Sequence, residues 1–197
     1  SGGPLLNIPS RKIKNYNVNK IIKHPNWKMG KKISVDSSTM INKVFEIIEA
    51  KKIFNLNYDK LSIIIHPKSY IHAILKFNDG MIKIIAHDTT MEIPIFNTLN
   101  PPFANKIKTK KLDLNKLNNL KLTKVDVKKY PLTKLINLMP STNSLFETVL
   151  VSANDELVKF FLEKKISYSE LIYYLLKILH KKEFIKYKFV EPKKITD

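Results

Sequence analysis

Apolar residues between positions 40 and 48 recur at helical spacing. Met40, Ile41, Val44, Phe45, Ile47 and Ile48 fall three and four apart, which places them on one stripe of an α-helix. Asp36, Ser37 and Thr39 stand just before them and offer N-cap chemistry. The pattern therefore predicts a helix that opens at 36–39 and runs to about Lys52. Asn42, Lys43 and Glu46 then lie three and four apart on its polar face. Residues 11–23, basic with scattered apolar positions, read as a short helix and a loop.

Further on the period changes. "LSIII" at 61–65 and "YIHAILKF" at 70–77 read as strands, and "NDG" at 78–80 is a hairpin turn leading back through "MIKIIA" at 81–86. A short helix is expected after Pro94. Around 100–128 two adjacent prolines and lysine-rich alternation predict a linker with one short strand. Helical spacing returns from Tyr130. "PLTKLINLM" ends at Pro140, and residues 143–165 form one helix or a broken pair. "SYSE" at 167–170 is a capping box that opens "LIYYLLKILHKK". A helix plus an antiparallel hairpin without a βαβ repeat is an α+β arrangement. The expected architecture is a helix with a small antiparallel sheet, followed by a C-terminal α-helical bundle. The expected divisions are 1–107, a linker at 108–128, and 129–197.

Charge changes this picture less than its size suggests. The net charge is +18, yet 34 of the 35 basic residues are lysine (35 less Arg11). Proteins that read bases favour the planar fork of arginine, and these lysines are scattered along every segment. A biased codon composition accounts for them, and the positive field suits a phosphorylated small molecule. No apolar run approaches a membrane span. The absence of cysteine excludes a disulfide framework and thiolate metal sites. The opening "SGGPLLNIPS" reads as a turn inside a domain, so a fragment or processed piece is expected.

Candidate chemistry gathers between residues 24 and 46. The predicted helix start at Ser37, with Asn42 and Lys43, would suit an anion, and Ser1 in its Gly-rich turn could add a hydroxyl. By spacing alone, an ordinary capped helix with a solvated polar face is the simpler account. Glu46 beside a phosphate would need a divalent cation such as Mg²⁺ or Mn²⁺; the simpler alternative is a salt-bridged surface glutamate. His24-Pro25-Asn26-Trp27, leading through Met29 to Gly30, could form a lid that excludes water, or pack Trp27 in the core. His66 and His72 read as hydrogen-bonded structural histidines. No Gly-rich nucleotide loop and no G-x-S-x-G elbow occur.

The stretch "HPNWKMGKKISVDSSTMINKVFEIIEA" resembles the 1-deoxy-D-xylulose 5-phosphate reductoisomerase family. The likeness extends to "SGGP", to "LSIIIHPKSYIHAILKFNDG" and to "SANDELVKFFLEKKISYSEL", and so covers most of the chain except the linker and the last residues. It implies NADPH-dependent, metal-assisted isomerisation and reduction of that sugar phosphate to 2-C-methyl-D-erythritol 4-phosphate. It implies a partial catalytic and dimerisation domain at 1–107, a helical domain at 129–197, a homodimer, and inhibition by phosphonate hydroxamates of the fosmidomycin kind. By the same resemblance Ser1, Ser37, Asn42 and Lys43 hold the substrate phosphate. His24 contacts substrate, Trp27 caps it on a flap, and Glu46 is one metal ligand. Gly30, Met29 and Met91 lie on the cofactor side. The neighbours of Met91 depart from the family pattern, reading "TTMEIPI".

The NADPH domain and two further acidic metal ligands are expected upstream of Ser1, so these 197 residues alone are expected to be inactive. The compartment implied is a plastid-type organelle (apicoplast) for a eukaryotic parasite and the cytoplasm otherwise. The alternative functions are a basic nucleic-acid-binding module and a dimerisation fragment without catalysis.

Overall fold

The computed structural model describes residues 3–13, 16–22, 29–101 and 105–193. In chain order the helices and strands are α1 (Ser10–Ile13), α2 (Val18–Ile21), α3 (Lys31–Thr39), α4 (Ile41–Phe54), β1 (Ile64–Ile65), β2 (Ile71–Lys76) and β3 (Ile82–Ala86). They continue with α5 (Glu92–Leu99), α6 (Leu114–Asn118), β4 (Thr123–Lys124), α7 (Phe146–Leu162), α8 (Tyr168–Leu179) and α9 (Lys182–Ile185). This is the expected α+β content. Among the described residues no helix is long and apolar enough to cross a membrane.

The helix predicted from Asp36 is two helices, and it begins earlier. Gly30 is the N-cap of α3, Met40 breaks the run at φ 65°, and α4 resumes at Ile41. Asp36 and Ser37 are therefore interior to α3 and cap nothing. Thr39 keeps a capping role, because its Oγ1 accepts from the Ile41 N–H at 3.4 Å. The start was missed because α3 inverts the usual pattern. Ser34, Asp36, Ser38 and Thr39 are all buried, while Lys31, Lys32 and Ile33 are exposed. Buried hydroxyls need partners, and these return to the helix backbone. Ser34 donates to the Gly30 carbonyl at 2.9 Å, Ser38 to that of Val35 at 2.6 Å, and Thr39 to that of Asp36 at 3.1 Å.

The chain forms two compact units. One unit is Ile64–Thr123; the other joins the described residues through Ile22, Met29–Ile63, and the chain from Lys124 on. In the larger unit α3 and α4 share a core with α7 and α8. Val35, Ile41, Val44, Leu132, Leu135, Phe146, Leu150, Leu171 and Leu175 are its centre. The apolar stripe of α4 is buried against the helical tail. Residues Pro131–Leu138 are a 3₁₀-helix, α7 is one unbroken helix of 17 residues, and the capping box forms as expected. Ser167 N–H donates to Glu170 Oε2 at 2.7 Å, and Glu170 N–H to Ser167 Oγ at 3.2 Å.

The smaller unit carries the hairpin. β2 and β3 pair antiparallel, Ala73 with Ile85 and Lys76 with Ile82, with an irregularity between Ile71 and Ala73. Gly80 takes φ +89° at the turn, where Asp79 Oδ1 accepts from the Met81 N–H at 2.9 Å. The expected strand at 61–65 shortens to β1, which pairs with β4. The expected linker holds α6 as well as a strand, because Asp113 caps the Asn115 and Lys116 N–H groups. Ile65, His66 and Ser69 are the buried residues among those described in this unit.

Candidate functional site

The α3–α4 junction sets the site. From Ser34 to Ile41 every residue is buried except Ser37, which is half-buried. The turn at Met40 then brings Asn42 and Lys43 to the partly open first turn of α4. Glu46 follows one turn on, and the polar face read from spacing is realised. Asn42 Nδ2 donates to Glu46 Oε1 at 2.8 Å; Lys43 Nζ lies 2.8 Å from Oε1 and 2.6 Å from Oε2. The Lys43 and Glu46 side chains are 31% and 45% exposed, so an incoming ligand can reach them.

The anion-site geometry differs from the expected one. Ser37 lies in the last turn of α3, and its carbonyl accepts from the Met40 N–H at 3.4 Å. The positive helix end belongs instead to α4, at Ile41–Lys43. Ser37 stands at the C-terminal end of α3, not at a helix start.

Gly3 supports this arrangement from the Gly-rich turn. At φ +59° it approaches so closely that a Cβ there would stand 2.5 Å from the Ser37 carbonyl oxygen. Only glycine satisfies both the backbone angle and the space. On its other side α3 is held by charge. Lys32 Nζ reaches Asp36 Oδ2 at 3.0 Å and Asp155 Oδ1 at 2.9 Å, and Asn154 Nδ2 donates to Asp36 Oδ1 at 2.9 Å. Burial pushes the Asp36 carboxyl above its ordinary value, against the hydrogen bonds from Asn154 and Lys32. The Tyr168 hydroxyl donates to the Ser38 carbonyl at 2.9 Å, and burial pushes that phenol above its ordinary value. Asn154 and Tyr168 were not singled out in the sequence. Their partners lie 118 and 130 residues away, beyond any local period.

The other expected site residues divide. Ser1, His24 and Trp27 lie outside the described residues. Met29 is half-buried and Gly30 exposed at the start of α3. Met91 belongs to the smaller unit, where it is 56% exposed and precedes α5. The structure therefore brings together Asn42, Lys43 and Glu46, with Ser37 half-buried in the last turn of α3. His66 takes a structural place, buried with Nδ1 3.2 Å from the Lys121 carbonyl oxygen. His72 stacks on His87 at 3.6 Å between ring centres. Among the described residues no three His, Asp or Glu side chains cluster as a metal site. Glu46 by itself offers one carboxylate, too few ligands for a divalent cation.

Comparison with known families decides what this geometry belongs to. Residues 1–54 match the model of the 1-deoxy-D-xylulose 5-phosphate reductoisomerase C-terminal domain, and residues 88–196 that of the DXP reductoisomerase C-terminal domain. The chain belongs to the 1-deoxy-D-xylulose 5-phosphate reductoisomerase family. It is 53% identical over all 197 residues to the reductoisomerase of Pelagibacter ubique (strain HTCC1062), of which it covers 51%. It is 36% identical over 186 residues to that of Persephonella marina, covering 94% of this chain and 50% of the relative. The chain spans about half the length of the curated reductoisomerases it matches.

Solved reductoisomerases share the fold. One from Zymomonas mobilis, in complex with NADPH, aligns over 100% of this chain and 49% of its own at a TM-score of 0.84 and 29% identity. Another, in complex with NADPH, fosmidomycin and magnesium, aligns over 94% of this chain and 45% of its own at 0.81 and 30% identity. The family expected from the residue 24–50 stretch and the "SANDEL" helix is thus the family found.

Proposed function

We propose that this chain supplies the substrate-phosphate subsite and one metal ligand of a 1-deoxy-D-xylulose 5-phosphate reductoisomerase. The enzyme would use NADPH and a divalent cation (Mg²⁺ or Mn²⁺) to isomerise and reduce its substrate to 2-C-methyl-D-erythritol 4-phosphate. The observation that carries the reading is the open Asn42, Lys43 and Glu46 cluster beside a buried junction in which Ser37 alone is half-buried. The Lys43 ammonium, the Asn42 amide and the Ser37 hydroxyl are donors matched to a phosphate. Ser1 would add a further donor. The Glu46 carboxylate would offer one oxygen to the cation, and the remaining ligands would come from outside the described residues. A bound cation would supply Lewis-acid stabilisation of charge developing on substrate oxygen.

His24 would contact the substrate, and Trp27 would close over it to exclude water. Gly30 would contact the cofactor, and Met29 and Met91 would flank the nicotinamide. These catalytic assignments fall within 1–107, joined through 108–128 to the helical segment 129–197. By themselves these 197 residues would not turn over. The fosmidomycin complex of a solved relative supports a phosphonate hydroxamate as inhibitor. The Pelagibacter ubique relative favours the cytoplasm over a plastid-type organelle.

Self-association is the second reading, and the hairpin carries it. Met81, just before β3, and Ile82 and Ile84 on it are 60%, 63% and 50% exposed, and their sheet has two strands. Such apolar exposure fits a symmetric homodimer. The decisive experiment for the first reading is NADPH oxidation by the complete protein with Glu46→Gln. Turnover should fall at least about 100-fold and recover in part with excess cation; wild-type turnover at ordinary cation concentration would overturn the assignment.

A further inference from the structure

Ser37 stands between two buried hydrogen bonds made by distant parts of the chain. On one side Asp36 Oδ1 accepts from Asn154 of α7, and on the other the Ser38 carbonyl accepts from Tyr168 at the start of α8, each at 2.9 Å. Asp36, Ser38, Asn154 and Tyr168 are 2%, 0%, 0% and 3% exposed.

The carbonyls at the end of α3 show why the second bond matters. The last carbonyls of a helix lack partners within it. Here the Val35 carbonyl accepts from Ser38 Oγ, that of Asp36 from Thr39 Oγ1, and that of Ser37 from the Met40 N–H. The Ser38 carbonyl is served by Tyr168 alone among the hydrogen bonds described. Without that hydroxyl a buried acceptor loses its donor, and the turn through Met40 is no longer the best-satisfied arrangement. The Tyr168 ring has a separate packing role, edge-on to Phe161 at 6.0 Å.

We propose that Asn154 and Tyr168 are positioning residues of the phosphate subsite. Together they fix the Asp36–Met40 turn and so set Ser37 relative to Asn42 and Lys43. The inference rests on the function proposed above, and it extends the subsite to helices in which that reading assigns no ligand.

The test compares Tyr168→Phe, Asn154→Ser, Ser37→Ala and Lys43→Ala in the complete protein. Leu171→Ala, a core truncation in α8, serves as a stability control. The readouts are KM for the sugar phosphate, kcat, inhibition by inorganic phosphate, and Tm. Tyr168→Phe and Asn154→Ser should raise KM and weaken phosphate inhibition by about 5- to 20-fold, with kcat within about 2-fold, because one lost buried hydrogen bond corresponds to roughly that range. Leu171→Ala should lower Tm without moving KM. Should either variant fail to fold, the other carries the measurement. If Ser37→Ala and Lys43→Ala raise KM while Tyr168→Phe and Asn154→Ser do not, the positioning role falls and the site reading stands. If none of the four moves KM, both fall together.

Discussion

Lys43 holds both carboxylate oxygens of Glu46, at 2.8 and 2.6 Å, from the preceding turn of the same helix. The proposed phosphate ligand and the proposed metal ligand thus neutralise each other. An exposed pair of this kind contributes little to the fold, about 0–1 kcal/mol. Its value lies in what each partner does when a ligand takes the other's place.

Lys43→Ala separates these roles. A charge-assisted contact to phosphate is lost, so KM for the substrate and the inhibition constant of a phosphonate hydroxamate should both rise about 10- to 100-fold. Tm should change little, because the pair is exposed. Equal inhibitor binding by variant and wild type in a titration would remove Lys43 from the subsite.

Gly3→Ala tests the close approach beneath Ser37. The new Cβ meets the Ser37 carbonyl at 2.5 Å from a backbone at φ +59°. Destabilisation of about 1–3 kcal/mol is expected, read as a fall in Tm, together with a raised KM. A stable variant with unchanged KM would show that the Gly-rich turn does not brace the site.

Asp36 gives a prediction in pH. Burial raises its carboxyl above the ordinary value of 3.8, although Asn154 and Lys32 oppose the shift. A raised carboxyl binds its proton more tightly in the fold. Its contribution is fully present below the unfolded value and is lost as pH rises through the folded one. Asp36→Asn lacks this titration, so its stability relative to wild type should climb over the pH range that runs upward from the ordinary carboxyl value of 3.8. Thermal unfolding of both proteins across that range measures the trend, and a falling difference would reverse the assigned sign.

Much of the chain was legible without coordinates. Local physics decides a hairpin at Asn78-Asp79-Gly80, a capping box at Ser167–Glu170 and an i,i+4 contact from Asn42 to Glu46, and each formed where its residues stood. The α3–α4 junction was misread because its buried residues are serine, threonine and aspartate. Their burial is compensated by hydrogen bonds that a hydrophobic period does not register.

The sequence by itself determined the α+β content, the shared polar face of Asn42, Lys43 and Glu46, and the family to which those residues belong. All of these follow from spacings of a few residues or from residue identity. The tertiary structure alone decided that Met40 turns the chain, that Gly3 lies against Ser37, and that Asn154 and Tyr168 grip its neighbours. Those contacts join positions 34 to 130 residues apart, the first reckoned as 37 less 3. Each depends on burying an unpaired backbone or carboxylate oxygen beside a donor, or on the absence of a side chain, which only the packed fold can arrange.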